Sequence, residues 1–412
     1  MPRSGKFSKV ERSWILYDVA NSAFILIVTA VIPIYFRSLT EAAGIADHES
    51  TAYFGFATSA ATLILALLSP ILGAVADYQG MKKRLFSLAL VLGLLGAVSL
   101  GLVGTWGSFL AVFVIARLGY AAANVFYDSM LTDVTSDERM DQVSAHGYAW
   151  GYVGSCIPFI GCILLILTTP FGLTTTAATQ ISLVITALWW GLLSLPLLKN
   201  VRQTHYLERG RLSVGDVFRR LGRTLRAITR NKPMLYYILA YFLYIDGVYT
   251  VISMATAYGS EVGIADSSLI LALLLTQFVA FPFAILTGRY ASKIGPLRLI
   301  RIFIAIYMGV CLFAFQLDKA WEFWLMAVVV GMAQGGIQSL SRSTFGKMVP
   351  KEESNEYFGF FDIFGKFADF MGPALVGFIG ILTGSSRYGI LALVALFAAG
   401  FALLCRIPKE TQ

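Results

Sequence analysis

Residues 73–84 read GAVADYQGMKKR and residues 288–298 read GRYASKIGPLR. Each has a glycine, a short mixed stretch, a second glycine and a basic end. One offset relates them: Gly73 to Gly288, Gly80 to Gly295 and Lys83 to Arg298 are each 215 residues apart. The same offset carries Pro158 to Pro373, and Asp137-Glu138 to Glu352-Glu353. The 412-residue chain is therefore a duplication. Glycine lets a tight turn form and lets two helix ends approach closely. Asp77 is expected to face a helix amino terminus or a basic partner as a polar latch, with Lys82 and Lys83 completing the motif. Ser292 stands where the second copy would carry an acid, so the latch should be stronger in the first half.

Around these motifs the chain is built for lipid. Hydrophobic residues make up 57%, mean hydropathy is +0.72, and only 14% of residues are charged, well below the share usual in soluble domains. Apolar runs long enough to cross a bilayer occur at 14–36, 52–76, 85–105, 107–132, 143–169, 175–198, 233–259, 267–291, 299–317, 321–346, 357–383 and 387–405. Most are apolar all round, not amphipathic as in a soluble helical protein. The expectation is an all-α membrane protein, with twelve transmembrane helices in two six-helix bundles. Residues 1–198 form the first bundle, 199–232 a basic cytoplasmic linker, and 233–412 the second.

Charge placement gives the orientation. Of 32 Lys and Arg residues, 26 lie on the side of the amino terminus, ten of them in 199–232. By the positive-inside rule both termini are cytoplasmic. The net charge of +8 follows from this bias and requires no nucleic-acid partner. The basic start, MPRSGKFSKVERS, precedes a full-length span and is not read as a cleaved signal. In the linker, Val217, Leu221, Leu225 and Ile228 fall along one side of a helix expected to lie on the membrane surface. Cys156, Cys162, Cys311 and Cys405 sit in apolar runs and His48, His146 and His205 are scattered, so neither a metal site nor a disulfide is encoded. No cofactor is expected.

The paired loop motif resembles that of the major facilitator superfamily. WILYDVANSAF (14–24), GGIQSLSRSTF (335–345) and EYFGFFDIFGKFADFMGP (356–373) sharpen this to its vacuole-effluxer-like branch, also called the unknown major facilitator family. The resemblance covers essentially the whole chain. It implies the major facilitator fold, alternating access and, for the eukaryotic namesakes, amino-acid export from the vacuole. Tyr78 and Met81 depart from the superfamily's usual basic positions.

Ionisable groups inside spans are costly, which makes each a functional candidate. Asp18 and Asn21 share one face of span one, either on a cavity or as a clamp on a neighbouring helix. Arg117, Asn124 and Asp128 form a stripe on span four, where a mid-membrane guanidinium requires a protein or substrate anion. Asp246 lies well inside span seven, where desolvation suits reversible protonation and pairing with Arg117 or Lys366 opposes it. Span ten carries Gln334, Gln338 and Arg342, the last near enough to the span end to snorkel. Span eleven carries Asp362, Lys366 and Asp369, which could pair internally.

These features point to a secondary transporter for a small polar solute, an amino acid or similar zwitterion, working by alternating access and coupled to protons. Asp18, Asn21, Arg117, Asn124, Asp246, Gln334, Gln338 and Lys366 are expected to line the site; Arg117 or Lys366 would take the carboxylate and Asp18 or Asp246 the ammonium. Asp128, Arg342, Asp362 and Asp369 form a secondary polar network. Gly73, Asp77, Gly80, Lys82, Lys83, Gly288, Gly295 and Arg298 form the gate. The protein is expected as a monomer in the bacterial inner membrane. The alternatives are a proton-driven drug or metabolite exporter, a sugar transporter, and a non-transporting receptor or scaffold. A membrane enzyme would require a catalytic cluster, and no histidine joins one.

Overall fold

A computed structural model describes residues 6–208 and 214–408. Its helices are α1 (Lys9–Ala30), α2 (Ile32–Ala42), α3 (Asp47–Ala76), α4 (Met81–Leu100), α5 (Trp106–Ser129), α6 (Leu131–Val134), α7 (Asp137–Thr168), α8 (Thr175–Asn200), α9 (Val214–Arg230), α10 (Lys232–Glu261), α11 (Asp266–Ile294), α12 (Pro296–Ala314), α13 (Ala320–Met348), α14 (Ser354–Thr383) and α15 (Ser386–Cys405). Among the described residues, twelve helices are long and apolar enough to cross a membrane. The protein is an integral, multi-pass membrane protein.

Several helices run past their apolar runs, because their caps lie outside the greasy stretch. Ser8 and Glu11 form a capping box that starts α1 five residues before Trp14. Asn231 caps α10 through Met234 N–H. The run read as one span at 14–36 is broken at Val31, before a second helix that has a proline in its first turn.

By contacts the chain groups into two units. Unit one holds residues 1–134, 150–211 and 351–359; unit two holds 135–149, 212–350 and 360–412. Thus α7 and α14 are each shared: the first turns of α7 belong to unit two, and the start of α14 belongs to unit one. In unit one, α4 packs on α5 where Gly93, Gly96, Ala116 and Gly119 bring the backbones together, as small residues do between membrane helices. Its centre is aromatic: Trp14 stacks on Tyr127 at 4.5 Å, and Phe24, Tyr120 and Trp190 contact one another. In unit two, Tyr241, Phe361 and Phe345 stack in a column, at 3.8 and 4.3 Å between successive rings.

The linker helix α9 docks on α10 through Thr224 and Ile228, with Arg220 also buried. Leu225 does not join that face. It is exposed together with Phe218, so the apolar side expected of Val217, Leu221, Leu225 and Ile228 is split between a docked edge and an outward one. Of the cysteines, three are buried and Cys405 is exposed.

Candidate functional site

The expected site residues fall into three sets, each within one unit. The first surrounds Tyr120 in unit one. Asp18 and Asn21 are buried on α1, and Asn21 Nδ2 donates to Asn124 Oδ1 on α5 at 2.9 Å. Arg117, Asp18 and Asp128 lie within electrostatic range of the Tyr120 hydroxyl. Gly151 lets α7 approach this region: a Cβ there would meet Ser22 Oγ at 3.0 Å and the Asp18 carbonyl at 3.3 Å. Half-buried Arg117 makes no hydrogen bond or ion pair with another described residue. Tyr120 was not singled out from sequence, although it lies one turn from Arg117 on the same stripe.

The second group lies in unit two. Asp246 is buried on α10, and its carboxylate accepts the Gly372 N–H of α14 at 2.7 Å. Position 372 must be glycine here, because a Cβ would stand 2.6 Å from that carboxylate and closer still to Thr250 Oγ1. Lys366 pairs with Asp362 at 3.7 Å, both partly exposed. That is the internal pairing anticipated for span eleven. The side chain of Asp369 lies outside the described residues. Gln334 is buried and borders an apolar cavity of about 70 Å³ with Thr250, Thr276 and Gln277; Gln338, one turn on, is half-buried.

The third group is the loop motif with its partners. Asp77 is fully buried at the end of α3 and caps the start of α14. Its Oδ1 accepts from Asn355 N and Nδ2 at 2.8 and 2.9 Å, and its Oδ2 from Glu356 N at 3.3 Å. A carboxylate at unsatisfied helix N–H groups is favoured by both hydrogen bonding and the helix dipole. Lys82, also buried, is paired with Asp133 and donates to Ser354 Oγ at 3.2 Å. Lys83 takes a different course, outward, to the Val201 carbonyl at 3.2 Å. Gly80 has φ +74°, a left-handed turn that suits glycine.

A segment that sequence reading treated only as linker completes this group. Residues 201–208 run as a strap along the loop. Leu207 N–H donates to the Asp77 carbonyl and Leu207 carbonyl accepts from Gln79 N–H. Gln203 joins the Gly80 N–H to the Ala76 carbonyl. Thr204 and His205 N–H both donate to Asp133 Oδ1 at 2.9 Å. The Asp133 carboxylate, 3.4 Å from His205 Nδ1, holds that imidazole above its ordinary pKa. Asp133, Asn355, Gln203 and His205 carried no sequence signal beyond lying near basic span ends.

The second copy of the motif is built differently. A Cβ on Gly288 would meet Ala145 Cβ at 2.5 Å and the Asp141 carbonyl at 3.2 Å, and Gly295 has φ +93°. Arg298 is exposed, as is Ser292. In place of the missing acid, buried Asp141 on α7 accepts from Ser343 at 2.7 Å and Lys347 at 2.6 Å on α13. Arg342 does not snorkel. It is buried, donates to Ser144 Oγ and the Ser144 carbonyl, and lies over the Tyr148 ring at 4.4 Å. These partners hold the guanidinium inside because leaving them would strand buried acceptors.

Known proteins agree with this architecture. The family model described as "Vacuole effluxer Atg22 like" matches residues 8–411. The MFS-type transporter YxiO of Bacillus subtilis is 43% identical, over 99% of this chain and 96% of its own. Autophagy-related protein 22 of Coccidioides immitis is 25% identical over 67% of this chain, which spans 50% of that fungal protein. Among solved structures, FucP in the outward conformation gives a TM-score of 0.74 at 15% identity, covering 97% of this chain and 98% of its own. The human organic anion transporter MFSD10 gives 0.73 at 15% identity, covering 96% and 99%. YxiO and FucP are both described as transporters of the major facilitator superfamily, and MFSD10 as an organic anion transporter. With a family match running from end to end and a transporter relative 43% identical, the chain belongs to the vacuole effluxer Atg22-like family of that superfamily.

Proposed function

We propose that this MFS-type transporter carries a small zwitterion, an amino acid or a close analogue, and exports it by alternating access coupled to protons. The observation that carries the reading is Arg117. A guanidinium inside a membrane span, without an ion pair among the described residues, stays desolvated at considerable cost unless an anion arrives to meet it. A substrate carboxylate supplies a planar, two-oxygen partner for its fork of donors. Asp18 and Asp128, grouped with it around Tyr120, supply the opposite charge that an ammonium group requires. In this reading Asn21 and Asn124 hold α1 against α5 and set the spacing of the cluster.

Asp246 is the proton carrier in the proposed cycle. It is buried, and its carboxylate accepts a backbone N–H. Asp77, on the amino terminus of α14, is the latch that opens during the cycle. The charge bias places the strap and both termini in the cytoplasm, α9 lies on the membrane surface with Phe218 and Leu225 toward lipid, and the carrier works as a monomer in a bacterial inner membrane. Export follows the description of its family.

A ligand-induced melting shift tests the charge requirement. Purified protein is screened against amino acids, the corresponding decarboxylated amines and the corresponding deaminated acids. Stabilisation by amino acids alone supports the zwitterion site. Stabilisation by uncharged sugars or by bulky cations, with none from amino acids, transfers the protein to a sugar or drug carrier.

A further inference from the structure

Beside the strap, the basic end of α4 opens onto a groove whose chemistry the transport cycle does not use. Lys83, Arg84, Arg202 and Tyr206 line it, and it continues along α4 to Leu88 and Val91. No acidic residue is among the described residues that line it. Arg84 and Arg202 are exposed, and neither makes an ion pair with another described residue. Lys83 is fixed between helix and strap by the Val201 carbonyl, where it and Arg202 repel one another. Three like charges gathered without a counter-charge make a site for an anion.

The apolar continuation says which anion. Leu88 and Val91 are 66% and 51% exposed on a helix of membrane-spanning length, and Leu92 and Leu95 extend the same outward surface. Lys83 and Leu88 are five residues apart, roughly 7 Å at helical rise, the interval over which a phospholipid passes from phosphate to acyl chain. A free phosphate would use the cations and leave the aliphatic wall unused. A tyrosine at the rim fits the headgroup level of a bilayer.

We propose that this groove binds an anionic glycerophospholipid, with its phosphate among Lys83, Arg84 and Arg202 and its acyl chains along Leu88 and Val91. Arg202 adjoins Gln203, which ties the strap to the Ala76 carbonyl and to Gly80 N–H. A bound lipid therefore braces the strap over the Asp77 cap, and its loss loosens that end of unit one.

The test uses delipidated, purified full-length protein and its melting temperature against added phosphatidylglycerol, phosphatidylcholine or inorganic phosphate. Phosphatidylglycerol should raise the melting temperature saturably, while phosphatidylcholine and phosphate leave it near the delipidated value. Arg84→Gln combined with Arg202→Gln should shift half-saturation by phosphatidylglycerol about tenfold or more, given what each basic side chain contributes near an anionic surface. The charge-matched control, Arg289→Gln with Lys293→Gln on the exposed end of α11, should retain the wild-type response. An equal shift from phosphate assigns the groove to a free anion and overturns the lipid. An equal shift from phosphatidylcholine, or an unchanged response in the Arg84/Arg202 variant, overturns the site. Should that double variant not fold, Arg84→Gln alone is titrated in the same way, with the same outcomes decisive.

Discussion

Gly73 and Asn355 are so close that a Cβ on Gly73 would stand 2.3 Å from the Asn355 carbonyl oxygen. Gly288 bears the matching relation to Asp141. The 215-residue offset that joins Gly73 to Gly288 also joins Asp141 to Glu356, the residue after Asn355. Duplication thus preserved a backbone approach, while the polar groups around it diverged.

The approach at Gly73 predicts a graded pair of glycine variants. Gly73→Ala forces the start of α14 away from α3 and should cost roughly 1–3 kcal/mol by overpacking. Gly80→Ala meets open space, so it bears only the strain of its positive φ, about 1 kcal/mol. Melting temperatures of the two variants check the order. Equal losses would show that Gly73 is not in tight contact.

Removing the Asp77 carboxylate should act on the α14 terminus. Asp77→Ala leaves the Asn355 and Glu356 N–H groups without that acceptor, a loss of roughly 1–3 kcal/mol. Asp77→Asn keeps an acceptor oxygen and loses only the charge, so it should cost less. Under the latch proposal, Asp77→Asn should also change cysteine-labelling accessibility near Asn355. Unchanged labelling and transport rate would reduce the motif to a topology signal.

The His205 contact with Asp133 predicts a pH dependence. Its pKa is raised on folding, so its contribution to stability is complete below the unfolded value of about 6.5 and fades as pH rises through the folded value. Melting temperature measured between about pH 5.5 and 8.5 should therefore fall more steeply for the wild type than for His205→Ala. Parallel curves would remove His205 from the strap's hold on Asp133.

Sequence alone revealed the fold because its signals are long and redundant. Twelve apolar runs, a charge bias and a duplicated loop all agree, and the helices deviate chiefly at their caps. The site was legible where chemistry follows helical spacing. Arg117, Asn124 and Asp128 fall on one stripe, and Asp362 does reach Lys366. It was illegible where partners come from distant segments. Asn355 lies 278 residues from Asp77, and Arg342 meets Ser144 across 198. Periodicity carries no information about such pairs. The strap was hidden for another reason: its residues act largely through backbone groups, which every sequence possesses.

The Asn21–Asn124 hydrogen bond separates clamp from substrate ligand. Asn21→Ala leaves the Asn124 amide oxygen without that donor in a part-buried setting, a cost of about 1 kcal/mol. As a clamp, Asn21→Ala should lower the melting temperature without ligand and keep stabilisation by a transported solute. An unchanged melting temperature with lost ligand stabilisation would instead place Asn21 in contact with substrate.

Counterflow in proteoliposomes tests the zwitterion account most directly. Vesicles preloaded with mixed unlabelled amino acids are exposed to the same solutes in labelled form, for the wild type and for Arg117→Gln at matched amounts of folded protein. The account predicts transient accumulation of at least one amino acid in wild-type vesicles, and its loss in Arg117→Gln although that variant melts at or above the wild-type temperature, since a half-buried charge without an ion pair among the described residues is gone. Wild-type vesicles that accumulate no amino acid, or Arg117→Gln vesicles that accumulate it at the wild-type rate, would contradict it.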